Sequence, residues 1–208
     1  MTPVPDVIDT LVGIQPGSQL DRVRALRPEA RAHAQGAYEA LFSPNDTSAV
    51  SLVERNAVAA FVAALHRVPV VVDFYAATLA AHPDTPPALI HVVGEEAARA
   101  AGSGPYGLFR AENAPESEPG PTYVMSSLDG AMVLDDRLAA ALEHAHMLVL
   151  HPRDASRAHL QALLDAGWTT PGIVTLSQLV AFLTFQIRVV LGLSALAAAT
   201  TRTDGALA

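Results

Sequence analysis

The sequence predicts an all-α protein. Hydrophobic residues make up 50% of the 208 residues but aromatic residues only 5%, and the many alanines and leucines favour helix over sheet. The longest apolar stretch, residues 170–196, begins with a helix-start signal, because Thr170 can cap a helix whose first position is Pro171. Since this stretch has no wide polar face, we expect it to form a helix buried in the core around which the chain is organised.

The first half of the chain predicts helices separated by proline- and glycine-rich turns. Pro28 is expected to kink or split the second helix, and Pro69 to end or bend the third. Ser51 and Glu54 have the Ser-x-x-Glu spacing of a capping box, in which each residue satisfies a free backbone donor of the other. The expected helices cover about residues 7–11, 19–42, 51–65, 70–81 and 87–101.

The second half begins with residues 102–127, which are too rich in glycine and proline to form a regular element. A loop of this length is typical of a lid, a partner-binding arm or a disordered segment. Beyond it we expect helices over about 132–150, from Asp154 or Ser156 to near Gly167, and over 170–196, with fraying after Thr200. We therefore predict one domain, 1–208, with an N-terminal lobe of about 19–101 and a C-terminal lobe of about 132–199.

Charge and composition argue against several functions. The net charge of −8 disfavours binding to nucleic acid or to anionic membrane surfaces. The chain has no cysteine, which excludes disulfides, thiolate metal sites and thiol redox chemistry. The first residues have no basic region followed by an apolar run, so we expect no signal peptide and a cytoplasmic protein. Neither a Gly-rich phosphate loop nor a Gly-x-Ser-x-Gly elbow occurs.

Two regions carry a family pattern. Residues 141–190 contain a helix that ends at a proline, then Leu-x-x-Ala-Gly-Trp, an isoleucine and a final aromatic-x-x-aromatic-x-x-Arg helix that ends at Arg188. A weaker match runs from Glu54 to Leu79. Together these regions cover about half of the chain, and they resemble the AhpD-like (carboxymuconolactone decarboxylase) superfamily, in particular its peroxidase-related, cysteine-poor branch. The resemblance implies an all-α AhpD-like helical bundle that forms a homo-oligomer.

The chain departs from this family at the reactive positions. Family members with thiol peroxidase activity carry a glutamate, a Cys-x-x-Cys twelve residues later and a histidine four residues beyond. In our register Asn56 replaces the glutamate, Val68 and Val71 replace the cysteines, and Tyr75 replaces the histidine. Valine has no lone pair to offer, and asparagine does not transfer protons at neutral pH. The resemblance therefore implies a relative that has lost thiol peroxidase activity.

Tyr75, His66 and Asn56 are nevertheless candidate catalytic residues, because they flank the vacated redox position. In a pocket, Tyr75 can donate a hydrogen bond or a proton to a small molecule, with His66 and Asn56 as neighbours. The alternative is structural: Tyr75 is one more packing aromatic, and His66 is the last residue of a helix.

Glu143, His144, His146 and His151 form the visible cluster of potential metal ligands. Glu143 and His146 have the Glu-x-x-His spacing of carboxylate-bridged metal sites. Such sites need matching carboxylates from other helices, and none is evident. We therefore predict no metal and no cofactor. Instead, we expect the histidines to stabilise a helix C-terminus or to lie at a subunit interface, with His144 a candidate substrate-binding residue.

Arg188 lies in the middle of the apolar stretch, where its charge disfavours a membrane span. A buried arginine needs a partner, so we expect an ion pair with Glu54, Glu143 or Asp73 or a contact with another subunit, or else a role in binding an anion or a substrate.

The sequence thus favours an accessory or small-molecule-binding protein. One alternative is a cofactor-free decarboxylase- or lyase-like enzyme that uses tyrosine and histidine as acid and base. The other is a structural partner of an oxidoreductase or transport system.

Overall fold

A computed structural model of the chain describes residues 5–125 and 133–205, with side chains up to Ala199. The described residues contain nine α-helices: α1 (Val7–Val12), α2 (Gln19–Ala25), α3 (Pro28–Phe42), α4 (Leu52–His66), α5 (Pro69–Ala81), α6 (Pro87–Arg99), α7 (Asp136–Leu150), α8 (Arg157–Asp165) and α9 (Thr170–Gly205). Two 3-10 helices cover Ala111–Glu116 and Pro152–Asp154. Extended pairing in these residues is limited to one bridge between Gly107 and Glu118, so the all-α prediction is confirmed.

The local helix signals act as expected. Pro28 occupies the first turn of α3 and separates it from α2, and Pro69 likewise begins α5. The Ser51 hydroxyl accepts a hydrogen bond from the Glu54 amide at 3.2 Å, and the Glu54 carboxylate accepts from the Ser51 amide at 2.7 Å. The predicted capping box at the start of α4 is therefore confirmed.

Helix α4 lies at the centre of the bundle and packs against α5, α6, α7 and α9. Every residue from Ala57 to Ala63 is at most 8% exposed. Four of these seven residues are alanine, and their small side chains allow the neighbouring helices to approach closely. The buried central helix is thus α4. The prediction that residues 170–196 form the helix around which the chain is organised is wrong.

Helix α9 is buried along one face only. Leu176, Leu183 and Ile187 are at most 1% exposed, whereas Val174 and Phe185 are about half exposed, at 51% and 48%. The helix also continues to Gly205, past the point where we expected it to fray; residues 206–208 lie outside the described residues.

The stretch Thr170–Ala199 of α9 is long and apolar enough to cross a membrane, and no other helix in the described part of the chain is. In its most apolar 18-residue window, 39% of the residues are buried in the bundle. Core helices of globular proteins satisfy the same criteria of length and composition, so this property is weak evidence for a membrane span.

Ion pairs join the three N-terminal helices. The Arg24 guanidinium contacts both Asp6 and Asp9, and the Arg31 guanidinium contacts Asp9 and, at 2.9 Å, Asp21. The side chain of Arg24 is only 7% exposed, and two carboxylates offset the cost of burying its charge.

The loop after α6 packs against the C-terminal end of α7. The Tyr106 amide donates a hydrogen bond to the Leu150 carbonyl at 2.6 Å. Gly120 has a φ of +61°, and a Cβ atom there would lie 2.2 Å from the Tyr106 ring, so only glycine fits. Residues 126–132, which include the predicted loop end and the predicted helix start near 132, lie outside the described residues.

Candidate functional site

The positions that our register aligns with the reactive residues of AhpD-like peroxidases are buried in the core. Val71 and Tyr75 lie one turn apart on the buried face of α5, both 0% exposed, and Val68 caps that helix at 8% exposed. The Tyr75 hydroxyl donates a hydrogen bond to Oε1 of Gln186 at 2.5 Å. Burial raises the pKa of Tyr75, so its hydroxyl stays a hydrogen-bond donor.

Tyr75 and His66 of the predicted trio contact different side chains of α9. His66 is half-buried, and its Nε2 lies 3.4 Å from Oγ1 of Thr184. Desolvation by burial, with Arg188 nearby, lowers the pKa of His66. No hydrogen bond within the described residues joins any two members of the predicted trio. None of five cavities formed by these residues is lined by Asn56, His66, Val68, Val71 or Tyr75.

The prediction that Arg188 is buried and ion-paired is wrong. Arg188 is exposed, and its guanidinium donates to the Thr184 carbonyl of its own helix at 3.2 Å. Glu54, one of its proposed partners, instead pairs with Arg137 at 2.6 Å. The reason is the orientation of α9, which places Arg188 and Phe185 on its solvent-exposed face while Gln186 and Ile187 are buried.

One cavity is lined by several titratable side chains, and it lies between α7, α8 and residues 122–124 of the loop. We call it the histidine cavity; its volume is about 290 Å³. Ala140, Met147 and Leu163 form part of its apolar wall. The polar side chains that line it are those of Thr122, Glu143, His144, His146, His151, Asp154 and His159, with the Tyr123 ring beside them.

His144 is held in one tautomer. It is 5% exposed, and its Nε2 lies 3.0 Å from Oγ of Ser177. The Ser177 hydroxyl lies 2.9 Å from the Ile173 carbonyl, to which it can donate its hydrogen, so we assign the His144 proton to Nε2 and the lone pair to Nδ1. Nδ1 is buried and has no hydrogen-bond partner among the described residues. Desolvation by burial, with His159 nearby, lowers the pKa of His144 to about 4.

His146 is also neutral and fixed. Its Nε2 donates to the Ala100 carbonyl at 3.1 Å, which leaves Nδ1 as an acceptor. Its ring lies between those of Tyr123 and His151, with centroid distances of 5.1 and 5.7 Å. Desolvation by burial lowers the pKa of His146 to about 4. Both buried histidines are therefore neutral imidazoles, with one N–H each, at neutral pH.

The loop is joined to this cavity by polar contacts. The Tyr123 hydroxyl donates to the buried Glu96 carboxylate at 2.6 Å, and the Met125 amide donates to Oε1 of Glu143 at 2.9 Å. His151 lies between the Pro121 carbonyl, 2.8 Å from Nε2, and Oδ2 of Asp154, 3.2 Å from Nδ1. These contacts hold the loop over the end of α7.

Sequence spacing anticipated only part of this cavity. It singled out Glu143, His144, His146 and His151, but not the loop residue Tyr123 or His159 of α8. No sequence signal connects these two residues to α7, because tertiary packing alone brings them together. In the part of the chain that the structure describes, no group of three or more His, Asp or Glu side chains is arranged to hold a metal ion.

Comparisons with known proteins do not identify the chain. No protein-family model matches the sequence, and no curated protein matches it.

Proposed function

We propose that this protein is an AhpD-like, homo-oligomeric helical protein that has lost thiol peroxidase chemistry and binds a small molecule in the histidine cavity. The observation that carries the proposal is this cavity of about 290 Å³, which is lined by two buried, neutral histidines and an apolar wall. Sites for small molecules typically combine such an apolar lining with a few convergent polar groups.

Loss of peroxidase activity is supported by the absence of cysteine from the whole sequence. It is also supported by the burial of Val71 and Tyr75, because a peroxide would have no open path to these positions. We expect no turnover above background in a peroxide-consumption assay with a dithiol donor. Turnover that survives removal of trace metals would contradict the proposal.

Binding is better supported than acid–base catalysis. A general base works best when its pKa lies near the operating pH, and burial lowers the pKa of His144 and His146 to about 4. Both are therefore weak proton acceptors at neutral pH but remain good hydrogen-bond acceptors. A cofactor-free enzyme is the second candidate, favoured by the uncommitted Nδ1 of His144.

The cavity can be tested by blocking it. Ala162 lines the cavity and is solvent-exposed on α8, so Ala162→Trp adds bulk at the cavity without burying a new side chain in the core. We expect ligand-observed NMR to detect binding of at least one of benzylamine, benzyl alcohol and benzoate, and we expect Ala162→Trp to abolish it. Ala77→Trp is the control, because Ala77 is exposed on α5 and lines none of the five cavities. Binding that persists in Ala162→Trp, or no binding of any probe, would refute the proposed site.

Homo-oligomerisation is supported by exposed apolar side chains on α8 and α9. Leu160, Leu164 and Val174 are between 42% and 51% exposed and line one groove. Burying such a surface against a second copy removes apolar area from water. We expect light scattering after gel filtration without detergent to give a multiple of the 21.8 kDa chain mass. Leu164→Glu should lower that mass, and the wild-type chain eluting as a monomer would overturn this part of the proposal.

A further inference from the structure

Glu143 of the histidine cavity, a carboxylate with no basic partner among the described residues, identifies a class of ligand. Resting on the proposed binding function, we infer that the cavity takes a small organic cation, a primary ammonium on a short apolar body, with Glu143 as its counter-ion.

Glu143 is a half-buried carboxylate, and no basic side chain of residues 5–125 or 133–199 pairs with it. Its Oε1 accepts the Met125 amide at 2.9 Å, and its Oε2 makes no hydrogen bond or ion pair with a described residue. No arginine with a described side chain lines the cavity, and the chain contains no lysine at all. A carboxylate that has lost part of its hydration and has no counter-charge is unfavourable. A ligand that carries a positive charge removes this cost.

Two of the neighbouring histidines, His144 and His146, add acceptors rather than donors. In this assignment Nε2–H of His144 donates to the Ser177 hydroxyl and Nε2–H of His146 donates to the Ala100 carbonyl. The Nδ1 lone pairs are then the hydrogen-bonding groups that these two rings can offer a ligand. Nδ1 of His144 is buried without a partner among the described residues. An ammonium group has three N–H donors, which matches one carboxylate and two imidazole nitrogens. An anion would meet lone pairs and negative charge.

The rest of the lining favours an apolar body over a bare ion. Ala140, Met147 and Leu163 present hydrocarbon to the cavity, and burying an apolar body against them is favourable. The described side chains provide no metal-binding group of three. A short alkyl or aryl ammonium therefore fits both halves of the lining.

Three probes with the same ring and different charge test the inference. Benzylamine is a cation at pH 7.5, benzyl alcohol is neutral and benzoate is an anion. In NMR titrations of the full chain we expect benzylamine to bind at least about tenfold more tightly than benzyl alcohol, as for a hydrogen bond to a charged group, and benzoate not to bind.

Glu143→Gln isolates the charge, because the amide oxygen of glutamine still accepts the Met125 amide. This variant should lose at least about tenfold in affinity for benzylamine and keep its affinity for benzyl alcohol. Glu29→Gln is the matched control, since Glu29 is 86% exposed, and it should bind all three probes like the wild type. If Glu143→Gln does not fold, two other measurements decide the question. The wild type must bind the three probes in the expected order of affinity, and Ala162→Trp must abolish that binding.

The outcomes separate this inference from the proposed function. If benzyl alcohol or benzoate binds as tightly as benzylamine and Ala162→Trp blocks it, the cavity binds small molecules but the cation inference is wrong. If Glu143→Gln binds benzylamine like the wild type, Glu143 is not the counter-ion and the inference fails. If no probe binds, both the inference and the proposed function fail.

Discussion

Tyr75→Phe tests whether Tyr75, a candidate catalytic residue of the sequence analysis, is structural. Its hydroxyl donates to Oε1 of Gln186 at 2.5 Å, and both side chains are 0% exposed. Nε2 of Gln186 is already buried without a partner among the described residues. Removing the hydroxyl leaves the whole amide unsatisfied, which costs about 1–3 kcal/mol of unfolding free energy. In a chain of this length that loss lowers the melting temperature by about 2–12 °C.

Urea denaturation followed by circular dichroism measures this change. The control is Tyr38→Phe, since Tyr38 is half-buried and its hydroxyl makes no hydrogen bond to a described residue; this variant should stay within about 0.5 kcal/mol of the wild type. The double variant Tyr75→Phe/Gln186→Leu should recover most of the lost stability, because both polar partners are then gone. Unchanged stability of Tyr75→Phe, or a double variant less stable than the single one, would refute the reasoning.

Three further predictions concern the cavity, the loop and the central helix. His144 and His146, with pKa values lowered to about 4, bind protons more weakly in the folded state than in the unfolded state, where the pKa is about 6.5. Stability should therefore fall as the pH drops from about 6.5 to 4, by about 2 kcal/mol per histidine, in urea titrations at several pH values; a flat profile would contradict this. Gly120→Ala should displace the Tyr106 ring and increase proteolysis of the loop, whereas unchanged cleavage would show that the ring has room. Ser51→Ala should cost about 1 kcal/mol through loss of the cap, and Ser51→Thr should restore most of it in the same assay.

Local signals in the sequence were enough to place most helices. Pro28 and Pro69 mark helix starts because proline lacks the N–H that the first turn leaves unpaired. The Ser51 capping box likewise depends only on residues three apart. Such features do not require knowledge of the tertiary fold, so they are readable from one sequence.

Burial was harder to predict, because composition does not show which apolar helix is central. Residues 170–196 and α4 both lack a wide polar face, but only α4 has a continuous run, Ala57 to Ala63, in which every residue is at most 8% exposed, whereas Val174 and Phe185 of α9 are about half exposed. Arg188 was therefore assigned a buried partner that it does not need, since it lies on the exposed face of α9. The apolar side chains left in solvent, including Phe185 at 48% exposure, account for the apparent lack of a polar face.

The candidate site shows the same division between local and tertiary information. Glu143, His144 and His146 are visible as a cluster because they lie within one helical turn. The groups that fix the tautomers of these histidines come from elsewhere in the chain. In our assignment the Ser177 hydroxyl of α9 and the Ala100 carbonyl each accept a hydrogen bond from one imidazole N–H. The same packing that excludes water from these rings also fixes their tautomers, so the cavity offers acceptors where exposed histidines would offer both donors and acceptors. We therefore expect the cavity to distinguish ligands by their charge and hydrogen-bond donors, and a charge series of probes is a sharper test of that proposal than a search for catalysis.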